Sequence, residues 1–532
     1  MGGEGRAKMT TAGIHLTAID LLILFAYLVG TLWLGSFCGR FIKSSDDFLL
    51  AGKSLPFWAA GMSIVATDIG VMDMVSGAGA AYQNGMAQAN FDWLGSVPAL
   101  IIVGFIFVPF YWRAGVSTVP EFLGRRFGEG VRWFQAAVWL FIMVVNLAIM
   151  LWMSGLFLGT VLDWNPYVAI WITVVGVGIY TYAGGLTAVV MTDVIQLLVL
   201  FVGSAALLAL SYWKAGGAAE MARSVGARGP EFANHFKLLL PHNTTTSYPW
   251  SGILFGLGMV MSTSYFATNQ AVIQRVFGTR SEWDAKASMI VAGGFKLLVP
   301  LLITFPGLTA LALYPKLEKA DYAMPTLVRQ LLPPGLMGLI IAAFFSALMS
   351  NVSGYLNSST TVAITDFYQP VIRFFRGREA SAEHCLKVGR GLTVGLVLAA
   401  GLGADFVRRF ETIYNLIQTM MSFIQGPTLA LLLLGIFWRR ANSLGALAGI
   451  LSGFFLAVAL NLVGTKLFRT DNPFLFVSVW SFLFSLGVTV AVSLCGAPPP
   501  PERIRGLVYG MVDRDPEAQA LLRERLDPPN PA

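Results

Sequence analysis

Thirteen long apolar stretches run along this chain of 532 residues, and they restrict its fold more than any other feature. They lie near 17–36, 55–81, 93–112, 133–161, 166–183, 188–211, 249–270, 287–313, 335–365, 391–404, 411–437, 443–465 and 474–496. The hydrocarbon layer of a bilayer is roughly 30 Å thick and takes about 20 apolar residues per crossing helix. Transmembrane β-barrels read instead as alternating segments of about ten residues. The pattern therefore predicts an all-α polytopic membrane protein with about 13 transmembrane helices. Charged residues make up 12% of the chain, against roughly 25% in soluble proteins. That balance excludes a soluble enzyme, a secreted disulfide scaffold, a disordered chain and a peripheral membrane protein. The first apolar run is too long for a cleavable signal, and no small-residue cleavage site follows it.

An odd number of crossings puts the termini on opposite sides of the membrane. Basic residues gather in short cytoplasmic loops. Loops 39–53, 113–132 and 373–390 are basic, whereas 83–91 and 163–166 carry no Lys or Arg. The N-terminus is thus expected outside and the C-terminus in the cytoplasm, as in a multi-pass protein of the cell membrane. Residues 1–497 read as one transmembrane domain and 498–532 as a cytoplasmic tail. The tail opens on a proline run and suggests one short helix near 516–526. The same loop bias accounts for the net charge of +7 without a nucleic-acid partner. Cys38, Cys385 and Cys495 have no paired spacing, so neither disulfide nor metal cluster is expected. The four histidines form no ligand motif, and no phosphate-binding GxxxxGK[ST] loop is present. No cofactor and no obligatory protein partner are inferred, and any energy the chain uses must come from a gradient or a partner.

Carboxylates at mid-depth in a helix cost about 2.5–3.5 kcal/mol each on the insertion scale. The second stretch nevertheless carries Asp68 and Asp73, the sixth Asp193 and the eighth Lys296, and Asp92 caps the third. The ninth holds Ser346, Ser350, Asn351, Ser353, Asn357 and four further hydroxyl residues up to Thr361. The eleventh opens with Tyr414, Asn415 and Gln418. A single such residue is accounted for by an interhelical hydrogen bond. The set as a whole points to a hydrophilic route through the bundle. A small hard cation needs several oxygen ligands, and a transmembrane helix that unwinds beside a cavity supplies carbonyls. Residues 66–70 suit such a break, and Ala347, Ser350 and Asn351 at i, i+3 and i+4 share one helical face. Stretches two and seven both carry polar interruptions, at 66–73 and 262–269. They stand five helices apart, as an inverted repeat requires.

Five strings stand out between about Asp46 and about Gly445: Asp47-Phe48-Leu49-Leu50-Ala51-Gly52-Lys53, Gly184-Gly185-Leu186-Thr187-Ala188, Asn269-Gln270-Ala271-Val272-Ile273-Gln274-Arg275, residues 347–368 and Ile436-Phe437-Trp438-Arg439-Arg440. Through them the chain resembles the sodium–solute symporter family, which includes sodium–glucose and sodium–proline cotransporters. The resemblance implies a LeuT-type fold of two inverted five-helix repeats, here about 55–211 and 249–437. It also implies a sodium site at Ala66, Ile69, Ala347, Ser350 and Asn351, the last replacing the usual Ser or Thr. A second cation site of some members resembles Asp193 with Ser350 and Ser353, but the next position is Gly354, without a hydroxyl. The substrate residues implied are Asp68, Asp73, Asp92, Ser262, Tyr265, Lys296 and Gln418. Asp68 stands where sugar members have Asn and proline members have Asp, and Asp73 where some sugar members have His.

The expected activity is sodium-coupled import of a small polar solute, a sugar or polyol, by alternating access across the lipid bilayer. Uptake of an amino acid or another small organic solute, coupled to sodium or protons, is the alternative. An ion-pumping subunit of a larger complex is the alternative of another class. The segment 212–248, with charges of both signs, leaves open whether it covers the outer mouth.

Overall fold

The computed structural model describes residues 16–39, 49–378, 380–407, 409 and 413–509. The backbone of 179–185 is described without its side chains, and the helix expected near 516–526 lies outside the described residues. Among the described residues there are helices and no strands.

Among the described residues, ten helices are long and apolar enough to cross a membrane, and a bent pair adds an eleventh. Two shorter apolar helices, Pro166–Gly178 and Gly252–Thr268, take up the fifth and seventh of the expected places. We number the helices that position the site α1 (Phe57–Asp68), α2 (Asp73–Ala89), α3 (Phe91–Ala114), α4 (Glu129–Leu162), α5 (Pro166–Lys214), α6 (Gly252–Thr268), α7 (Gln270–Phe277), α8 (Glu282–Lys296), α9 (Leu336–Val362) and α10 (Ile413–Phe437).

Helix α5 departs from the expectation of two separate spans. It runs for 49 residues, about 74 Å if straight at 1.5 Å per residue. Asp163, just before it, pairs with Arg329 at 2.8 Å, and Ala215, just after it, packs with Leu308 in one apolar cluster. Its apolar stretches are Pro166–Gly178 and Leu186–Lys214.

Burial sorts the helices into layers. The apolar window of Leu336–Arg376 is 83% buried and that of Ser443–Phe468 only 28%, so α9 is central and the late helix peripheral. The peripheral helices present Leu402, Phe455 and Leu462 outward, an apolar surface of the kind a bilayer covers. The last two helices approach closely through small residues. Gly445, Gly449 and Gly453 face Ser493, Thr489 and Ser485, and a methyl at any of them would overlap those neighbours. The hydroxyl-rich face of α9 is turned inward, with Ser346, Ser350, Ser353, Ser358, Ser359 and Thr360 all buried. It packs against α5, α1 and α4.

Candidate functional site

The site begins where two helices break. Helix α1 ends at Asp68, and Ile69 leaves helical geometry at φ −89°, ψ 95°. The axis turns by 60° before α2 resumes at Asp73. Asp73 maintains the break chemically. The Gly70 N–H, which an unbroken helix would give to the Ala66 carbonyl, donates to Asp73 Oδ2 at 3.1 Å. Ala66 is thereby released from its helical partner. Two hundred residues on, Asn269 leaves helical geometry at φ −67°, ψ 110° between α6 and α7. Its Oδ1 accepts from the Ala271 N–H at 3.0 Å and starts α7. Both interruptions read from the sequence are breaks, and their matching geometry is what two inverted repeats produce.

The first break meets the serine face of α9. The Asn351 Nδ2 donates to the Thr67 carbonyl, and its carboxamide oxygen stands where Gly70 lacks a side chain. Ser350 donates its hydroxyl hydrogen to Asp193 Oδ1 at 2.6 Å. That leaves the oxygen lone pairs of Ser350 free to face a cation. Ala66, Ile69, Ala347, Ser350 and Asn351 are all buried at this junction. The donor set is carbonyl, hydroxyl and amide oxygen, the chemistry a hard monovalent cation takes.

Asp193 stands differently from the expectation of a second cation site. The Arg275 guanidinium, from α7, pairs with Asp193 Oδ2 at 3.0 Å, and both side chains are 0% exposed. It also donates to Ser63 Oγ at 2.5 Å, to Thr67 Oγ1 and to the Ala271 carbonyl. Gly354 makes room for it, because a Cβ there would lie 3.0 Å from the guanidinium. Ser353 turns its hydroxyl to the Ser350 carbonyl at 3.2 Å. A fixed cation thus already sits against Asp193.

Beside this junction lies an internal cavity of about 140 Å³. Asp68, Asp73, Asp92, Ser262, Tyr265, Lys296 and Gln418 all line it, so the structure brings together the seven side chains proposed from the sequence. Lys296 ends α8, where a helix C-terminus favours a cation. Its ammonium pairs with Asp68 and with Asp92 at 2.9 Å. Asp73, Asp92 and Ser262 each fall in a wide π-helical turn, a local form frequent at functional sites.

Aromatic side chains close two sides. Phe91 packs edge-on against Tyr248 and Tyr414, each with ring centroids 5.4 Å apart. Elsewhere Tyr265 stands edge-on to Phe266 at 5.1 Å, and its hydroxyl meets that of Tyr355 at 3.5 Å. The segment 212–248 packs over the first of these sides. Its His235 carbonyl accepts from the Met86 N–H at 2.7 Å, and its Leu238 carbonyl accepts from Asn90 at 2.6 Å.

Sequence reasoning missed several cavity residues. Gln88, Asn146 and Gln425 line the cavity, and each keeps a buried polar atom without a partner. Asn146 was detectable as an amide in the middle of an apolar run. Arg275 was detectable in the same way, as an arginine inside Ala271-Val272-Ile273-Gln274-Arg275-Val276-Phe277.

Comparison with known proteins agrees with this geometry. Residues 48–453 match the model of the sodium:solute symporter family. A sodium/glucose cotransporter of Vibrio parahaemolyticus is 30% identical over 90% of this chain and 91% of its own length. A human sodium/myo-inositol cotransporter is 28% identical over 95% of this chain and 76% of its own length. Among solved structures, a Na⁺-coupled sialic acid symporter in a substrate-bound outward-open state superposes with a TM-score of 0.78. It covers 91% of this chain and 99% of its own at 24% identity, a likeness of fold that makes this a LeuT-type bundle. The chain belongs to the sodium:solute symporter family and is a sodium-coupled membrane transporter, not an enzyme.

Proposed function

We propose that this protein imports a small polyhydroxylated solute, a sugar or polyol, with one sodium ion per cycle. The observation that carries the reading is the single cavity shared by Asp68, Asp73, Asp92, Ser262, Tyr265, Lys296 and Gln418, next to a broken helix. Donors and acceptors spread round a small chamber with aromatic walls suit a ligand with several hydroxyls. The names of the glucose and inositol cotransporters among its relatives point the same way.

In this account sodium lies between Ala66, Ile69, Ala347, Ser350 and Asn351, and one ion suffices because Arg275 already neutralises Asp193. Sodium joins the α1–α2 break to α9 and favours the state open to the outside. Solute then binds more tightly, as linkage between two cooperative ligands demands. The membrane potential adds about 2.3 kcal/mol per charge per 100 mV to inward movement. The orientation that uses it has the N-terminus outside, residues 1–497 as the transporter domain and 498–532 as a cytoplasmic tail in the cell membrane. The basic loops 113–132 and 373–390 support that orientation.

Purified protein in liposomes, given labelled sugars, polyols and amino acids under a sodium or a proton gradient, tests the reading. Sodium-driven accumulation of a sugar or polyol is expected; accumulation of amino acids alone would overturn it. Two substitutions separate the sites. Ser350→Ala is expected to raise the sodium concentration for half-maximal uptake about tenfold, because a ligand oxygen is lost. An unchanged sodium curve removes Ser350 from the site. Gln418→Ala is expected to weaken solute binding by about 1–2 kcal/mol, one hydrogen bond's worth, and to leave sodium binding intact. Equal loss of both would make Gln418 structural.

A further inference from the structure

We propose that the solute carries one positive charge, an ammonium group that pairs with Asp73, so that the substrate class is an amino sugar or amino polyol. The inference rests on the sugar or polyol reading above and sharpens it. Three carboxylates, Asp68, Asp73 and Asp92, line the cavity against one cationic side chain, Lys296. The lysine is spent on two of them, Asp68 and Asp92. Asp73 receives only the Gly70 N–H at 3.1 Å and has no ion-pair partner among the described residues. An unpaired charge enclosed by protein is strongly unfavourable. Each cycle of alternating access encloses this chamber, so a carboxylate there needs a cation that arrives with the cargo and departs with it.

Sodium does not meet that need in the proposed site. Its ligands there are carbonyl, hydroxyl and amide oxygens, and the Asp73 carboxylate is taken up by the Gly70 N–H. A second observation shows that the chamber awaits a ligand with hydroxyls as well as charge. Gln88 Oε1, Gln425 Oε1 and Asn146 Nδ2 line it without partners, and these side chains are only 6%, 3% and 3% exposed. Buried polar atoms are almost always paired, so two acceptors and one donor left open around the same space call for a polyhydroxylated occupant. The rings of Tyr265 and Phe91 at the walls add faces that attract an ammonium. A neutral sugar would satisfy the amides and leave Asp73 bare. An amino sugar satisfies both.

The test uses the full chain in liposomes under a sodium gradient, slightly below neutral pH, with two matched pairs of probes. The pairs are glucosamine with glucose, and glucamine with sorbitol, each differing by one ammonium. The proposal predicts that the charged member of each pair reaches half-saturation at a concentration at least tenfold lower. In Asp73→Asn the half-saturation concentration of the charged member should rise to that of the neutral one, and a cooperative thermal unfolding transition in detergent shows that the variant folds. Preference for the neutral member in the wild type would overturn the proposal. Neutral uptake accompanied by one proton per cycle, lost in Asp73→Asn, would overturn it too, because Asp73 would then hold a proton and not an ammonium. If no sugar or polyol of either kind is taken up, the reading on which it rests has failed first.

Discussion

Arg275→Met is expected to destabilise the protein by about 3–5 kcal/mol, the cost of leaving one member of a buried ion pair alone. Arg275 and Asp193 are both fully enclosed, so water cannot solvate the carboxylate once its partner is gone. The guanidinium also ties together α1 through Ser63 and Thr67, α7 through the Ala271 carbonyl, and α5 through Asp193. Thermal unfolding of the purified protein in detergent should show a large drop in Tm. The double variant Arg275→Met/Asp193→Asn should recover most of it, because a neutral amide still accepts from Ser350 and no charge is stranded. A single variant as stable as the wild type would mean that the pair does not hold the core. A double variant worse than the single one would mean that the hydrogen bonds, not the charges, carry the stability.

The second large effect is expected at Gly70→Ala. A methyl at this position would overlap the Asn351 carboxamide. Asn351 is 2% exposed and held by the Thr67 carbonyl, so it has little freedom to withdraw. The break must then shift away from α9 and enlarge the cage proposed for sodium. The sodium concentration for half-maximal uptake should rise at least tenfold, or uptake should stop. Adding Asn351→Ser, which shortens the obstructing side chain and keeps an oxygen, should restore a good part of the sodium response. Sodium-activation curves of the three proteins decide the matter. No effect of Gly70→Ala would show that the break and α9 do not act together.

Much of this architecture is written in local features. Polar residues and a glycine inside apolar runs marked the interruptions near Asp68 and Asn269, because backbone unwinding needs groups that tolerate it. The spacing of Ala347, Ser350 and Asn351 placed them on one face by helical geometry alone. The meeting of seven side chains from five segments was not legible in that way. Lys296 and Asp92 are 204 residues apart in sequence and 2.9 Å apart in space, and resemblance to a family supplied what periodicity could not. The Arg275–Asp193 pair escaped for the same reason, since its two members are 82 residues apart in sequence. The π-helical turns at Asp73, Asp92 and Ser262 escaped because one extra residue per turn leaves the apolar pattern almost unchanged. The continuity of α5 through 49 residues was not legible either, because two apolar stretches read alike whether or not the helix runs on between them.

The central claim is that an ion held between the α1–α2 break and α9 prepares the neighbouring chamber for solute. Calorimetric titration of the purified protein with its solute, in sodium and in potassium buffers, measures this directly. The account predicts that sodium tightens solute binding by tenfold or more, that solute tightens sodium binding by the same factor, and that both gains vanish in Ser350→Ala. Equal solute affinity in the two buffers would contradict it.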